Sequence, residues 1–349
     1  MTSARITGIG TAFPSTTLAQ ERLPELLPDG HPDADVLHKL VRRSGIRRRH
    51  LAVDPESEDV SSWGTRARMR RFQRDALPLA RSALTDALVA ADTDPGEVGQ
   101  LCVVSSTGYQ SPGVDSRLIR ELGMSPATQR LFIGHMGCYA ALPGLAACAD
   151  FARCHPNPAA LLNVELSSLH LQPPPWDIEQ FVINTLFGDG AVAMVVQGTD
   201  RPGRGATVVD VASHTDVEHE DHMTWEVGDT GFPMGLSPKI PDLIAARLPD
   251  VVSALLAPHD LTAARVGWWA VHPGGTKIIE AVEESLSLAP EATATSRAVL
   301  ADYGNCSSAG LPIVLAELQR GSPLPPGEPG VAMTFGPGLT LYTALLRGG

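Results

Sequence analysis

The stretch "GCYAALPGLAACA" (Gly137–Ala149) returns later in the chain as "GNCSSAGLPIVLA" (Gly304–Ala316). Each copy opens on Gly, runs through small residues and carries an early proline. Two further pairs lie around it in the same order. "EVGQLCVVSSTG" (Glu97–Gly108) parallels "RVGWWAVHPGG" (Arg265–Gly275), and "FGDGAVAMVV" (from Phe187) parallels "FGPGLTLYTALL" (from Phe335). Apolar, β-rich runs that open into Gly, Ser or Pro are the pattern of buried strands. Three pairs in one order predict a duplicated chain. The distance between partners shortens at the third pair, so the first half carries an insertion. It is placed at "LHLQPPPWDIEQF" (Leu169–Phe181), whose prolines mark a loop. The seam is the turn-rich "VQGTDRPGRGATVV" (Val196–Val209), which divides the chain into halves 1–200 and 201–349. Helical segments such as "RDALPLARSALTDALVAA" (Arg74–Ala91) and "KIIEAVEESLSL" (Lys277–Leu288) alternate with the strands and predict α/β layers.

The bulk properties narrow the function. A chain of 349 residues, 43% hydrophobic and 19% charged, is long enough for two cores or one large layered core. A net charge of -12 excludes a general nucleic-acid binder. The opening "MTSARITGIGTAFP" lacks the charged and apolar regions of a signal peptide, and no apolar run is long enough to span a membrane. The five cysteines (102, 138, 148, 154 and 306) form no CxxC pair, so neither a disulfide framework nor a zinc site is expected. A cytoplasmic protein with reduced thiols is the expectation.

The duplication puts Cys138 and Asn305 at equivalent places, each just after Gly at the start of a small-residue helix. If the halves pack about a pseudo-twofold axis, the two helix starts converge near the centre. A helix N-terminus offers free N–H groups and partial positive charge, which favour a thiolate. Pro143 is tolerated only in a first turn, so the helix should begin at or just after Cys138. The plainer reading of a cysteine is a buried thiol, and it suffices for Cys102, Cys148 and Cys154. His272, between "WWAV" and "PGG", and Asn305 also have plain readings, as a strand-end hydrogen bond and a helix cap. Together the three suit two chemistries. One is a hydrolase triad, with Asn orienting the imidazole. In the other, His272 and Asn305 donate to a thioester carbonyl and stabilise the enolate left when a malonyl thioester loses carbon dioxide. The "CGSCW" signature of a papain-like hydrolase is absent, which favours the second.

"MGCYA", "LFGDGA", "VHPGG", "DYGNCSSA" and "FGPGLT", in this order, resemble the type III polyketide synthases, the chalcone-synthase-like branch of the thiolase superfamily. The resemblance runs from "ITGIGTAFP" to "LYTALLR". It implies a thiolase-like α/β fold of two pseudo-symmetric halves in layers αβαβα, and a homodimer. It implies that Cys138 accepts a starter acyl group from coenzyme A, that His272 keeps it as thiolate and that Asn305 is the second donor during malonyl-CoA decarboxylation. Decarboxylative Claisen condensation and cyclisation to a pyrone, resorcinol or related aromatic product follow. No metal, redox cofactor or carrier protein is implied. Ketoacyl synthase III enzymes share Cys–His–Asn and are the alternative, with a single condensation or acyl transfer. An inactive scaffold binding acyl-CoA is the alternative from another class, and retention of all three residues argues against it.

By the same resemblance Phe187 matches the aromatic gate between the coenzyme A tunnel and the cavity. The run "HKLVRRSGIRRRH" (His38–His50) reads plainly as a solvated charged face. The resemblance instead puts Lys39 and Arg43 first, and Arg42, Arg47 and Arg48 after them, on the phosphates of coenzyme A. The chain also departs from the plant pattern. Met234 stands at a second aromatic gate, with Phe232 nearby. His170 stands at a cavity Thr and Trp225 at the small residue that opens the plant cavity. Ser111 stands at the Met that crosses the dimer interface, and Thr334 where a glycine usually opens the last loop. A bulky Trp225 and a polar His170 argue against simple transfer of chalcone synthase activity.

Overall fold

The computed structural model describes residues 3–26, 34–55, 57–60, 62–172 and 177–349. Its first half runs β1 (Ala4–Ala12), β2 (Thr17–Ala19), α1 (Ala34–Arg43), β3 (Arg48–His50), α2 (Thr65–Ala90), β4 (Gln100–Ser105), α3 (Val114–Glu121), β5 (Gln129–Gly134), α4 (Ala141–Cys154), β6 (Ala159–Glu165), α5 (Ile178–Leu186) and β7 (Gly190–Gly198). The second runs β8 (Thr207–Thr215), β9 (Met223–Trp225), β10 (Met234–Leu236), α6 (Ile240–Leu256), β11 (Trp268–Val271), α7 (Thr276–Leu286), α8 (Ala294–Tyr303), α9 (Gly310–Gly321), β12 (Pro329–Gly336) and β13 (Thr340–Arg347).

The duplication is visible in the sheet. Its order is β11-β12-β13-β8-β1-β7-β6-β4-β5. Outward from the β1–β8 junction, both sides repeat the same directions: antiparallel, antiparallel, then parallel. The three sequence pairs fall on β4 and β11, α4 and α9, and β7 and β13. The inserted segment lies in the β6–β7 connection, which holds α5, whereas β12 and β13 are joined by a short turn. Residues 173–176 of that insertion lie outside the described residues.

Strand parity builds the layers, because successive side chains face opposite sides. Val192, Met194 and Val196 of β7 share one core with Leu142 and Leu145 of α4, Leu311 and Val314 of α9, and Ala344 and Leu346 of β13. Ala191, Ala193 and Val195 face the other way, onto Ala83, Leu84 and Ala87 of α2. On the far side Val331, Met333 and Phe335 of β12 pack with Ile244 and Leu248 of α6. The two half-sheets therefore enclose α4 and α9, and outer helices cover both, giving the thiolase-like αβαβα fold. The half-sheets are not separate. They are hydrogen-bonded at their edges through Ala4–Val208 and Arg5–Thr207, and nine strands form one sheet. No described helix is long and apolar enough to cross a membrane.

Candidate active site

Cys138 lies in a 3-10 turn (Gly137–Ala140) that runs directly into α4, so the helix starts where Pro143 requires. Gly137 has φ 74°, a left-handed conformation that favours glycine. A Cβ there would also come within 2.4 Å of Pro337 in the β12–β13 turn. Asn305 takes the mirror position, ahead of the 3-10 turn Ser307–Ala309 and α9. The Cys138 Sγ is 4.0 Å from both Oδ1 and Nδ2 of Asn305, and 3.9 Å from Ser307 Oγ. The Ser307 N–H donates to Asn305 Oδ1 at 2.9 Å, which fixes the amide and leaves Nδ2 as donor.

His272 sits where β11 ends, its N–H donating to Met333 O at 2.9 Å. Its ring packs on α9, where a Cβ at Gly310 would stand 2.9 Å from Cε1 and Nδ1. Neither ring nitrogen has a hydrogen-bond partner among the described residues. The structure thus brings Cys138 and Asn305 into contact. His272 joins them through its loop, since Gly274 O lies 3.5 Å from Asn305 Nδ2, and not by a hydrogen bond to the thiol. All three are closed off: Cys138 is 6%, His272 2% and Asn305 3% exposed. Burial pushes the thiol up to about 12 and the imidazole down to about 3. Burial leaves neither group gaining by ionising alone.

Sequence reasoning passed over Glu165, at the end of β6. It is fully buried and accepts from Ser106 N–H at 3.0 Å, Thr107 Oγ1 at 2.8 Å and Ser308 Oγ at 2.5 Å. Burial pushes its carboxyl up to about 7 against the pull of these donors. Ser307 Oγ, 3.5 Å from Glu165 Oε1, stands between the carboxyl and the thiol. The signal available was one acid closing the uncharged strand "AALLNVE", with hydroxyl-rich "SST" and "SSA" elsewhere.

Phe187 packs with Cys138 and Ile183. It also lines a cavity of about 80 Å³, whose wall also includes His170, Trp225, Phe232 and Met234. The thiol is not on that wall, and Phe187 stands in contact with both. His170 is held neutral by burial, its pKa driven down to about 3. Its Nδ1 accepts from Phe232 N–H at 3.0 Å, so Nε2 carries the proton and donates to Thr107 O at 2.8 Å. The ring stacks on Phe232 with centroids 4.3 Å apart. Trp225 meets both His170 and Phe187 edge-on at 6.1 Å, and Met234 pairs with Trp225 across β9 and β10.

The family model of the chalcone and stilbene synthase N-terminal domain matches residues 1–201, and that of the C-terminal domain matches residues 210–348. The chain belongs to the chalcone and stilbene synthases, the type III polyketide synthases. It is 34% identical to a 1,3,6,8-tetrahydroxynaphthalene synthase of Streptomyces peucetius subsp. caesius, over 98% of this chain and 92% of that one. It is 33% identical to the alpha-pyrone synthesis polyketide synthase-like Pks18 of Mycobacterium tuberculosis, over 97% and 90%. The crystal structure of PKS-I from the brown alga Ectocarpus siliculosus superposes with a TM-score of 0.92, at 29% identity, over 100% of this chain and 99% of that one. Type III polyketide synthases are transferases that use acyl-CoA and malonyl-CoA.

Ser111 and the basic residues Lys39, Arg42 and Arg43 are exposed. Ser111, expected at the residue that crosses the dimer interface, does not line the cavity of its own chain. It is exposed in the segment between β4 and α3. Lys39, Arg42 and Arg43 lie on the exposed side of α1, opposite the buried Leu37 and Val41, with no ion-pair partner among the described residues. Arg47 and Arg48 are engaged with Asp302, at 2.8 and 3.8 Å. Thr334 is buried within β12.

Proposed function

We propose that this type III polyketide synthase loads an acyl starter from coenzyme A onto Cys138 and extends it with malonyl-CoA, His272 and Asn305 serving as the donors. The observation that carries the reading is the 4.0 Å approach of the Cys138 thiol to the fixed amide of Asn305, at two helix starts related by the duplication. Lys39, Arg43 and Arg42 hold the coenzyme A phosphates by charge-assisted contacts, for which their exposed cations are suited. Phe187 gates the passage between the thiol and the cavity. Trp225 and His170 crowd that cavity, so the product is short. The two halves, 1–200 and 201–349, contribute the thiol and its two donors respectively.

The working unit is a homodimer. Its support is β5, an edge strand with an unpaired side, whose Phe132 is 46% exposed beside Tyr109 at 39%. An apolar open edge invites pairing with a second copy, and Ser111 on the neighbouring segment then faces the partner. The enzyme acts in the cytoplasm, where its thiols stay reduced.

Mass spectra of products from malonyl-CoA with a panel of acyl-CoA starters test the reading. Carbon dioxide release without chain extension by any starter overturns it. In Trp225→Gly the cavity gains the volume of an indole, and products are expected to shift to more extensions. An unchanged product spectrum means that Trp225 does not limit the number of extensions.

The pH response tests the pairing of thiol and imidazole. Moving the proton from Cys138 to His272 changes no net protonation. Where the attraction between the two ions makes the pair the reactive form, that fraction stays level with pH, whereas burial alone, which pushes the thiol up and the imidazole down, leaves only a lone thiolate that climbs with pH. In His272→Ala the thiol titrates alone with its raised value, so its thiolate fraction climbs about tenfold per pH unit. Rates of Cys138 alkylation by iodoacetamide from about pH 6 to 9 read the difference. Equal slopes in both proteins sink the pairing.

A further inference from the structure

Arg49 belongs to the basic run His38–His50 but shares neither fate of its neighbours. It is buried in β3, at 2% exposure, with no carboxylate at ion-pair distance among the described residues. Its guanidinium donates from Nε to Gln20 Oε1 at 3.0 Å, and from Nη1 to the carbonyls of Asn184 at 2.9 Å and Phe187 at 2.7 Å. Burial lowers its pKa to about 10, which leaves it charged at neutral pH.

Those carbonyls lie at the end of α5, just where Phe187 follows. The last carbonyls of a helix lack partners within it. Here each finds one outside. Asn184 O and Phe187 O take Arg49, Thr185 O takes Gln20 Nε2 at 2.8 Å, and Leu186 O takes the backbone N–H of Asn305 at 2.9 Å. Asn305 O accepts in turn from Gly188 N–H at 3.0 Å, closing a bridge between Phe187 and Asn305. The Arg49 arm also runs directly behind Asn305, since a Cβ on Gly304 would stand 2.9 Å from its Cγ and Cδ. A cation facing a helix C-terminus in a low-dielectric interior makes strong, directional contacts.

We infer that Arg49 is a positioning residue of the condensation site, holding the Phe187 gate and the Asn305 donor in one frame. It borders the cavity that Phe187 lines, but its hydrogen bonds go to Gln20 and the two carbonyls. The inference rests on the reading of Asn305 as donor to the malonyl thioester. It predicts a split between half-reactions, because starter loading on Cys138 does not need the Asn305 amide and malonyl-CoA decarboxylation does.

Arg49→Lys keeps the charge but loses the planar fork that serves Gln20 and two carbonyls at once. Decarboxylation per intact site is expected to fall about a hundredfold, as for a misplaced catalytic group. Acylation of Cys138 by the starter changes little. Intact sites are counted by stoichiometric alkylation of Cys138, read by intact mass, so unfolded protein does not enter the ratio. Gln20→Met removes one acceptor of the guanidinium and the donor to Thr185 O. It carries the same comparison in a protein that keeps its cation, with the same split at smaller size. Equal losses in both half-reactions, or no loss per site, overturn the inference. Asn305→Ala is measured alongside. If it leaves decarboxylation intact, the reading of Asn305 fails whatever Arg49 does. If it slows decarboxylation and the Arg49 and Gln20 variants do not, the positioning role fails alone.

Discussion

Cys138→Ala is expected to abolish polyketide formation, by about 10⁴-fold or more, in a protein that still folds. The size follows from the chemistry. Every extension needs the chain held as a thioester beside the malonyl unit, and no other thiol can take that place. Cys306 is the nearest in sequence to the site, but burial pushes its thiol well above its ordinary value, with Asp189 and Glu165 adding to the effect. Cys102 and Cys148 lie in the central core. The fold should tolerate the change because only one sulfur is removed, next to Phe187 and Ile183, which can relax over it. Slow release of carbon dioxide from malonyl-CoA should survive, since the Asn305 amide and the His272 ring remain. Product formation by the variant at the wild-type rate, read by mass spectrometry, would exclude Cys138 as the nucleophile.

Much of this site could be read from the chain because the duplication is a local pattern. Small residues after Gly137 and Gly304 announce helices that must start inside a packed core, and Pro143 limits where the first can begin. The pairing of β4 with β11 and of β7 with β13 follows from their shared flanks. The edge contact of β1 with β8 does not, since it depends on two residue pairs and carries no pattern. Glu165 escaped for a related reason. Its partners Ser106, Thr107 and Ser308 come from distant segments, and no spacing rule links them.

Arg49 is a different case. In "RRRH" a uniform basic face hides a strand, and strand parity separates Arg48 from Arg49. Arg48 points out and Arg49 points in, as the burial of β3 records.

Asn305→Asp tests the electrostatics of the second half-reaction with almost no change of shape. The amide donates to where negative charge develops as malonyl-CoA loses carbon dioxide. Losing one such donor costs about 10²–10³ in rate. The carboxylate does more than remove a donor. It brings a second negative charge to the enolate, in a site where the flanking residues are buried and screening by water is weak. Glu165 is already close, through Ser307. Two carboxyls so near favour one proton between them, so the introduced carboxyl is expected to titrate upward. Decarboxylation should then be lowest at high pH, where that carboxyl is ionised, and recover in part as pH falls and the acid regains a proton to donate. Asn305→Ala has no titrating group and should show the loss without that recovery. Carbon dioxide release measured across pH for both variants separates a lost hydrogen bond from an added charge. Matching profiles would mean that charge at this position does not reach the reacting carbonyl.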